Sequence, residues 1–449
     1  MKKPLFIIKI YLLLLLTVSC QTDDSPPVYE QGTNAYTNQW IYQQMKKYYY
    51  WNQGMPSEGD LSIAPKEYFS RLLHTDDRFS YALHPSLPAT YPRNVRSSFG
   101  FDVSFVEHQG QVYGAVLYVL SDSPAHYSIL NRGMFLTAIN GIPLNATNYE
   151  TLYHDLANTD QAQLQAVTYN DSGFSAPQLV NLSRGVVLLQ PLRKHIVVQG
   201  SEKTGYIEIP HFDRGLAQSL LQAFLEFKME SVNKLVIDLR YNGGGDISSA
   251  TALSILLAPG IEPDDLFITF KGNNNGGTLS QSFKQALEMN ESQVDFQALR
   301  SGHLPLQKVY VLCGSHTASA SEIIINNLKP FMEVVTIGEK TVGKDVAGFP
   351  VEDERLPGQQ GWILYPSIYK LFNAENEGDY SVGILPTFEI DELQQARIFP
   401  LGDPNELLLK KALAPLSTNR QMDNNSPTLH VLPKLQGYSG SDPLLPGNL

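Results

Sequence analysis

The pattern of apolar and polar residues after about residue 200 predicts alternating strands and helices. Short apolar runs rich in β-branched residues predict strands at 205–209, 234–239, 308–313 and 333–338. Between them, apolar residues three or four positions apart predict helices at 216–229 and 319–328. This alternation is typical of an α/β domain built around a mainly parallel sheet. The Asn- and Gly-rich residues 273–277 predict a long exposed excursion from that domain.

Two differently patterned regions precede this core. Apolar residues such as Trp40 and Met45 recur near the helical period and predict a helix over 38–51, followed by a second at 65–73. Short alternating segments and an Asn140-Gly141 turn then predict a compact β-rich module. The predicted organisation is a helical region at 35–92, a β-rich domain at 93–192, an α/β core at 193–415 and a loosely ordered tail at 416–449.

The N-terminus has the pattern of a bacterial export signal. Two lysines precede a short apolar run that ends in the small residues before Cys20. This resembles a lipoprotein signal, which implies that residues 1–20 hold a signal peptide cleaved before Cys20 and that Cys20 is lipidated. The alternative is a plain secretory signal with an incidental cysteine. The acidic linker at 21–34 resembles the export signals of Bacteroidetes-type lipoproteins. We therefore expect a lipid anchor in a membrane, at the periplasmic face or outer surface of the outer membrane.

Composition narrows the class of protein without naming a function. The chain has 449 residues, of which 43% are hydrophobic and 17% charged, as expected of a folded globular protein. Its net charge of −12 argues against a nucleic-acid partner. Neither of the two cysteines, Cys20 and Cys313, belongs to a CxxC pair or a Cys/His cluster, so no metal site or other cofactor is predicted.

Ser319 lies where a predicted strand turns into a helix. The small residues around it, from Thr317 to Ser321, would let a substrate approach the serine hydroxyl. The first turn of a helix presents unpaired amides and a dipole that favours a developing oxyanion. Taken alone, the same pattern also fits an ordinary N-cap serine.

Lys344 follows the next predicted strand in a Gly-rich loop, 25 positions after Ser319. A lysine can serve as the base for a serine nucleophile, with no histidine, if it is uncharged. Lowering its pKa by about three units requires roughly 4 kcal/mol, which desolvation can supply. Asp345 would oppose that shift if it faced the amine. The alternatives are a solvated loop lysine and a phosphate-binding loop, and Asp345 argues against the second because Ser or Thr belongs there.

Three glycines end the predicted strand at 234–239. Because glycine has no Cβ, the backbone amides of Gly244 and Gly245 can come close to a substrate carbonyl. One of these amides and that of Ala320 could together form an oxyanion hole. A flexible turn is the alternative interpretation.

Taken in this order, the three segments resemble the tail-specific, or carboxyl-terminal processing, protease family. The matching motifs are Asp238-Leu239-Arg240 with its glycines, Thr317-Ala318-Ser319-Ala320-Ser321-Glu322 and Gly338-Glu339-x-Thr341-x-Gly343-Lys344. The resemblance implies a crotonase-like (ClpP/crotonase) protease core without a cofactor. It further implies that Ser319 is the nucleophile and Lys344 the base. The oxyanion donors would be Gly244 or Gly245 together with Ala320, and Ser321 would not be the nucleophile.

The β-rich module resembles a PDZ domain. The resemblance lies in Ser98-Phe99-Gly100-Phe101, Ser123-Pro124-Ala125 and Ile139-Asn140-Gly141. It implies that the amides around Phe99, Gly100 and Phe101 meet the terminal carboxylate of a chain that adds to a sheet edge. The expected partners are therefore polypeptide substrates recognised partly by their C-terminus. An ordinary hairpin in a β domain is the alternative.

The chain departs from the family pattern beside the lysine. Many members have Gln four positions after it, where this chain has Gly348. Two hypotheses follow. The chain is an exported, lipid-anchored serine endopeptidase that hydrolyses peptide bonds in proteins, or it is a catalytically impaired surface lipoprotein that binds peptide C-termini.

Overall fold

The computed structural model describes residues 29–87, 90, 98–170, 172–188, 190, 192–290, 293–355, 358, 360–415 and 428–433. The predicted signal peptide and the lipidation site Cys20 lie outside these ranges and stay predictions. Within the described ranges, no helix has both the length and the apolar character needed to cross a membrane.

The N-terminal region is helical, as its periodicity predicts. Its elements are α1 (Asn34–Tyr48), a 3₁₀ helix (Asn52–Gly54), α2 (Pro65–Arg71) and β1 (Tyr81–Leu83). Thr33 caps α1 by accepting a hydrogen bond from the backbone of Tyr36 at 3.2 Å. The apolar stripe of α1 includes Trp40 and Met45, which are buried. This stripe packs against α2 and against Val351, Trp362 and Leu364 of the core in one small hydrophobic cluster.

The β-rich domain, residues 98–188, is an antiparallel sheet with one helix. Its elements are β2 (Phe101–His108), β3 (Gln111–Val119), β4 (Met134–Ile139), β5 (Ile142–Pro143), α3 (Tyr149–Asn158), β6 (Gln161–Asn170), β7 (Gly173–Phe174) and β8 (Gln178–Ser183). The predicted hairpin turn is present, because Asn140 and Gly141 have φ values of 50° and 77° between β4 and β5.

The core alternates strands and helices. Its first elements are β9 (Arg193–Gln199), β10 (Glu202–Glu208), α4 (Leu216–Met229), β11 (Lys234–Asp238), α5 (Ile247–Leu257), β12 (Leu266–Lys271), β13 (Thr278–Ser282), α6 (Phe283–Glu288) and α7 (Phe296–Ser301). The chain continues through β14 (Lys308–Cys313), α8 (Ala320–Asn327), β15 (Glu333–Gly338), β16 (Val346–Ala347), β17 (Val351–Glu352), β18 (Ile363–Tyr365), β19 (Tyr369–Phe372), β20 (Phe388–Glu389) and α9 (Leu407–Leu413).

The main sheet of the core has the strand order β20-β15-β14-β11-β10-β9. All neighbouring pairs are parallel except β9 with β10, which confirms the expected mainly parallel α/β core. Alternate residues of β11 face opposite layers. Ile237 packs in the cluster that contains α4, α5 and α8, whereas Val236 packs with α9. The sheet is therefore covered on both faces, and the ends of β11 and β14 lie at one edge.

The predicted long excursion at 273–277 is wrong in its length, although residues 274–277 are exposed as expected. These residues make a short turn between β12 and β13. The Asn273 side chain is buried and donates hydrogen bonds to the carbonyls of Lys47 and Tyr49 at 3.2 and 2.8 Å. The turn therefore docks on the end of α1, and β1 also pairs with β18, so both of these contacts attach the N-terminal region to the core.

The predicted loosely ordered tail is also wrong for residues 428–433. This segment contains β21 (His430–Val431), which pairs antiparallel with β2 and places Val431 opposite Val106. The backbone of Leu432 donates to the Phe105 carbonyl at 2.9 Å. Leu429 is buried against the β-rich domain, and this apolar contact holds a segment whose Pro- and Asn-rich surroundings suggested a loop.

A buried ionic network joins the β-rich domain to the core. Arg240, at the end of β11, pairs with Asp238, Glu392 and Glu406 at 2.9, 2.9 and 2.7 Å. Arg132 of the β-rich domain pairs with Glu392 at 2.6 Å. Burial alone would raise the pKa of Glu392, but the two guanidinium groups hold it at about 2. The carboxylate is thus kept charged at the boundary between the domains.

Candidate active site

Ser319 occupies a strained turn directly before α8. Its φ of 56° and ψ of −117° are rare for a residue with a side chain, and such strain is often found at functional sites. The serine turn, residues 314–319, is stabilised by hydrogen bonds of the Thr317 side chain. The Thr317 hydroxyl accepts from the Gly314 backbone at 2.9 Å and donates to the Leu239 carbonyl at 2.8 Å. The turn is therefore fixed to the end of β11.

Glu322 joins the serine turn to the lysine loop, residues 339–344. Its side chain is fully buried in the first turn of α8. The carboxylate accepts four hydrogen bonds, from the backbone of Ser319 at 2.9 Å, the Thr341 hydroxyl at 2.5 Å, and the backbones of Gly343 at 2.7 Å and Lys344 at 2.8 Å. Burial raises its pKa, and these four bonds oppose that rise. One buried carboxylate thus positions the backbone of both candidate catalytic residues.

Asn242 joins the glycine loop, residues 242–245, to the serine turn. Its carbonyl accepts from the backbone of Ala318 at 3.2 Å and from the Ser321 hydroxyl at 3.0 Å. Its side-chain oxygen accepts from the backbone of Gly244 at 2.8 Å. Ser321 is buried and turned away from the surface, as expected of a residue that is not the nucleophile.

The glycine loop lies directly against Ser319. A Cβ placed on Gly244 would come within 2.7 Å of Ser319 Cβ and 3.0 Å of Ala320 N, so only glycine fits there. The Gly244 amide is already donated to Asn242, which argues against Gly244 as an oxyanion donor. Among the described residues, the amides of Gly245 and Ala320 have no such partner. Of the two glycines that the sequence offered, the geometry therefore favours Gly245.

The Lys344 residue is half-buried. Desolvation lowers the pKa of its amine, and the carboxylates of Glu322 and Asp77 oppose that change. The centre of the Phe79 ring lies 5.7 Å from Lys344 Nζ. In this conformation, no hydrogen bond joins Lys344 Nζ to Ser319 Oγ within the described ranges. Catalytic hydrogen bonds are often long in substrate-free proteins and shorten when substrate binds.

Asp345 does not oppose the shift at Lys344. Its carboxylate is buried and pairs with Lys370 at 2.6 Å. The pKa of Lys344 is therefore influenced by two other acidic groups, Glu322 and Asp77.

The N-terminal strap, residues 77–79, also reaches the lysine loop and was not predicted. Arg78 donates to the carbonyls of Val342 and Ser381 at 2.9 and 2.8 Å. Phe79 follows directly and faces Lys344. The strap and the loop are separated by more than 250 residues, and no pattern in the sequence pairs them.

The predicted carboxylate-binding residues of the β-rich domain are packed inward. Phe99 and Phe101 are fully buried, and the Gly100 amide donates to Ser98 Oγ at 3.0 Å. A Cβ on Gly100 would lie 2.1 Å from Ser123 Cβ. In this conformation the Gly100 amide is thus occupied rather than presented to a ligand.

The start of β2 touches the serine turn. Asp102 Oδ2 lies 3.5 Å from His316 Nε2, and the Tyr153 hydroxyl donates to Asp102 Oδ1 at 2.8 Å. His316 lies three residues before Ser319. The β-rich domain is therefore in direct contact with the turn that carries the candidate nucleophile.

Two family models match parts of this chain. The model of peptidase family S41 matches residues 203–390, which include Ser319 and Lys344, and the model of the peptidase S41 N-terminal domain matches residues 36–81. The solved structure of a candidate S41 protease from Bacteroides fragilis NCTC 9343 superposes with a TM-score of 0.67 at 28% identity, covering 86% of this chain and 97% of that chain.

Curated relatives are more distant. The chloroplastic C-terminal processing peptidase of Tetradesmus obliquus is 23% identical over 60% of this chain and 56% of its own length. The carboxyl-terminal-processing protease of Picosynechococcus sp. strain PCC 7002 is 23% identical over 51% of this chain and 50% of its own length. The chain therefore matches little more than half the length of these relatives. The chain belongs to peptidase family S41.

The Glu322→Gln variant tests whether this carboxylate holds the two loops together. The glutamine amide would bring an N–H donor against backbone N–H donors, so we expect a loss of stability of about 1–3 kcal/mol. Hydrogen–deuterium exchange should rise at the amides of Ser319, Gly343 and Lys344. Denaturant unfolding and exchange mass spectrometry measure these effects. The exposed Glu333→Gln variant is the control, and equal protection in both variants would contradict this role.

Proposed function

We propose that this protein is an exported, lipid-anchored serine endopeptidase of the carboxyl-terminal processing type. Ser319 is the nucleophile and Lys344 the base of a crotonase-like core, and the substrates are polypeptides. The observation that carries the proposal is the buried Glu322 carboxylate, which binds the backbone of both residues. It sets a strained serine and a lysine of lowered pKa on the same side of the core.

The residues supply each step of peptide hydrolysis. Ser319 Oγ forms a bond to the scissile carbonyl carbon while neutral Lys344 Nζ takes the hydroxyl proton. The amides of Gly245 and Ala320 bind the resulting oxyanion. The C–N bond then breaks as Lys344 gives the proton to the leaving amine, which leaves an acyl-enzyme. Water attacks the ester, Lys344 takes its proton, and the C–Oγ bond breaks as Ser319 is reprotonated.

The alternative is a lipoprotein that binds peptides without cleaving them. Gly348, where many relatives of this type have Gln, and the absence of a Ser319–Lys344 hydrogen bond in the described part of the chain would agree with it. The lowered pKa of Lys344 and the strained backbone of Ser319 favour the enzyme, because perturbed pKa values and backbone strain cluster at functional sites.

Alanine variants of the two residues separate these functions. We expect Ser319→Ala and Lys344→Ala each to lower the cleavage of an unfolded protein by about 10³-fold or more, because they remove the nucleophile and the base. Gel-based proteolysis measures cleavage, and thermal unfolding should show that both variants fold. Lys340→Ala, in the exposed part of the same loop, is the control. Full activity of Ser319→Ala would overturn the proposal. Loss of activity in a His316→Ala variant but not in Lys344→Ala would assign the base to the histidine.

For the β-rich domain, we infer a PDZ-like role in recognising the C-terminus of the substrate. The edge of β2 would accept the peptide as an added strand, with the backbone around Phe99, Gly100 and Phe101 near its carboxylate. β21 already pairs with this edge at Val106 and Glu107. A peptide long enough to reach these two residues therefore competes with a segment of the chain itself.

A proline at position 432 tests this competition. Leu432→Pro removes the N–H that binds the Phe105 carbonyl, so we expect a peptide with a free C-terminus to bind about 2- to 10-fold more tightly. Fluorescence anisotropy with a labelled peptide measures the affinity, with an amidated peptide as the negative control and His430→Ala as the matched variant. Unchanged affinity in Leu432→Pro would place the peptide site elsewhere.

A further inference from the structure

The position four residues after Lys344 cannot carry a side chain in this fold. A Cβ on Gly348 would lie 2.1 Å from the Pro366 carbonyl oxygen, and a backbone atom cannot move aside cheaply. The side-chain support that Gln gives the lysine in many relatives is therefore excluded by the backbone here. If Lys344 is oriented by a polar group, that group comes from another part of the chain.

The N-terminal strap brings such a group to the lysine. Arg78 binds the carbonyls of Val342 and Ser381, which fixes the strap to the lysine loop and to the segment beside it. Phe79, the next residue, places its ring centre 5.7 Å from Lys344 Nζ. Asp77 accepts a hydrogen bond from the Phe79 backbone at 3.0 Å, so its carboxylate lies beside the residue that faces Lys344, and its charge raises the pKa of the Lys344 amine.

The two oxygens of Asp77 have different surroundings. Oδ1 accepts from the backbones of Phe79 and Ser80 at 3.0 and 3.1 Å and from the Ser367 hydroxyl at 3.2 Å. Oδ2 is buried and makes no hydrogen bond of normal geometry with a described residue, and the Tyr49 hydroxyl is the neighbouring group that could also donate to this carboxylate. An unpaired buried carboxylate oxygen is costly unless a partner reaches it during function. Oδ1 thus fixes the side chain and leaves Oδ2 free to accept.

We propose that Asp77 is a positioning residue for Lys344, accepting a hydrogen bond from its amine through Oδ2, and that Phe79 covers the pair. The proposal rests on the function proposed above. Asp77 aims the amine at the serine turn and replaces the missing support at Gly348. The N-terminal region is then part of the active site rather than a separate helical module.

The charged and titratable groups around Lys344 come from three elements. Glu322 lies on α8, Asp77 and Arg78 on the N-terminal strap, and Tyr380 on the segment that packs against the lysine loop. Burial lowers the pKa of Lys344, and the two carboxylates raise it. Removing the Asp77 charge would therefore lower the pKa of Lys344 further.

Asp77→Asn is the decisive variant. Asn keeps an oxygen in the place of Oδ1, and so keeps the turn, but removes the charge and puts an N–H donor in the place of Oδ2. We expect kcat to fall roughly 10- to 100-fold with little change in KM, because the base is no longer aimed. The acid limb of the kcat/KM profile should move to lower pH. Steady-state kinetics across pH on the full chain measure both effects.

Two controls keep the test specific. Asp76→Asn removes an adjacent, solvent-exposed carboxylate and should leave both kcat and the pH profile unchanged. Burial and the nearby Asp77 charge raise the pKa of Tyr49, and Tyr49→Phe removes the hydroxyl that could compete with Lys344 for the Asp77 carboxylate. Asp77→Asn kinetics equal to those of Asp76→Asn would overturn the proposal. The same pH shift in Tyr49→Phe as in Asp77→Asn would overturn it too.

The outcome is separable from that of the proposed function. If Lys344→Ala keeps full activity, the Ser/Lys mechanism is wrong, and Asp77 then has no catalytic amine to position. If Lys344→Ala is inactive while Asp77→Asn retains wild-type kcat and pH profile, the mechanism stands and only the role of Asp77 is refuted. Thermal unfolding of Asp77→Asn within a few degrees of the wild type excludes a general loss of structure.

Discussion

The candidate active site depends on one buried carboxylate. Glu322 has no exposed surface and accepts four hydrogen bonds, three of them from backbone amides. The Ser319 backbone is strained, and a strained turn persists only where its surroundings fix it. Since the same side chain also binds Lys344, the geometry of the base cannot change without disturbing that of the nucleophile. The arrangement is rigid in the backbone and leaves the side chains of Ser319 and Lys344 to adjust when substrate binds.

Around this point the fold brings together parts of the chain that are remote in sequence. The N-terminal strap binds the lysine loop, and Asp102 at the start of β2 touches His316 in the serine turn. The ionic network between Arg132, Glu392 and Arg240 joins the β-rich domain to the end of β11. The N-terminal region and the β-rich domain therefore both contact the loops that surround Ser319 and Lys344.

Much of the core could be predicted from the sequence, because its strands and helices follow strong local patterns. The bounds of α4, β14 and β15 agree with the periodicity, and the strand-turn-helix at Ser319 follows from small residues after an apolar run. The roles of Asn242 and Glu322 could not be predicted, since each depends on which backbone amides the fold brings near. The contact of Arg78 with the lysine loop could not be predicted for the same reason.

The mechanism requires a Lys344 amine that loses its proton more readily than an ordinary lysine and then activates Ser319. The most direct test is the rate at which a phosphonate labels Ser319, followed by mass spectrometry as a function of pH in the wild type and in Lys344→Ala. We expect the wild-type rate to rise with pH through a midpoint below the ordinary pKa of lysine, and this rise to vanish in the variant. Equal labelling rates in the two proteins, or a wild-type midpoint at the ordinary pKa, would contradict the account.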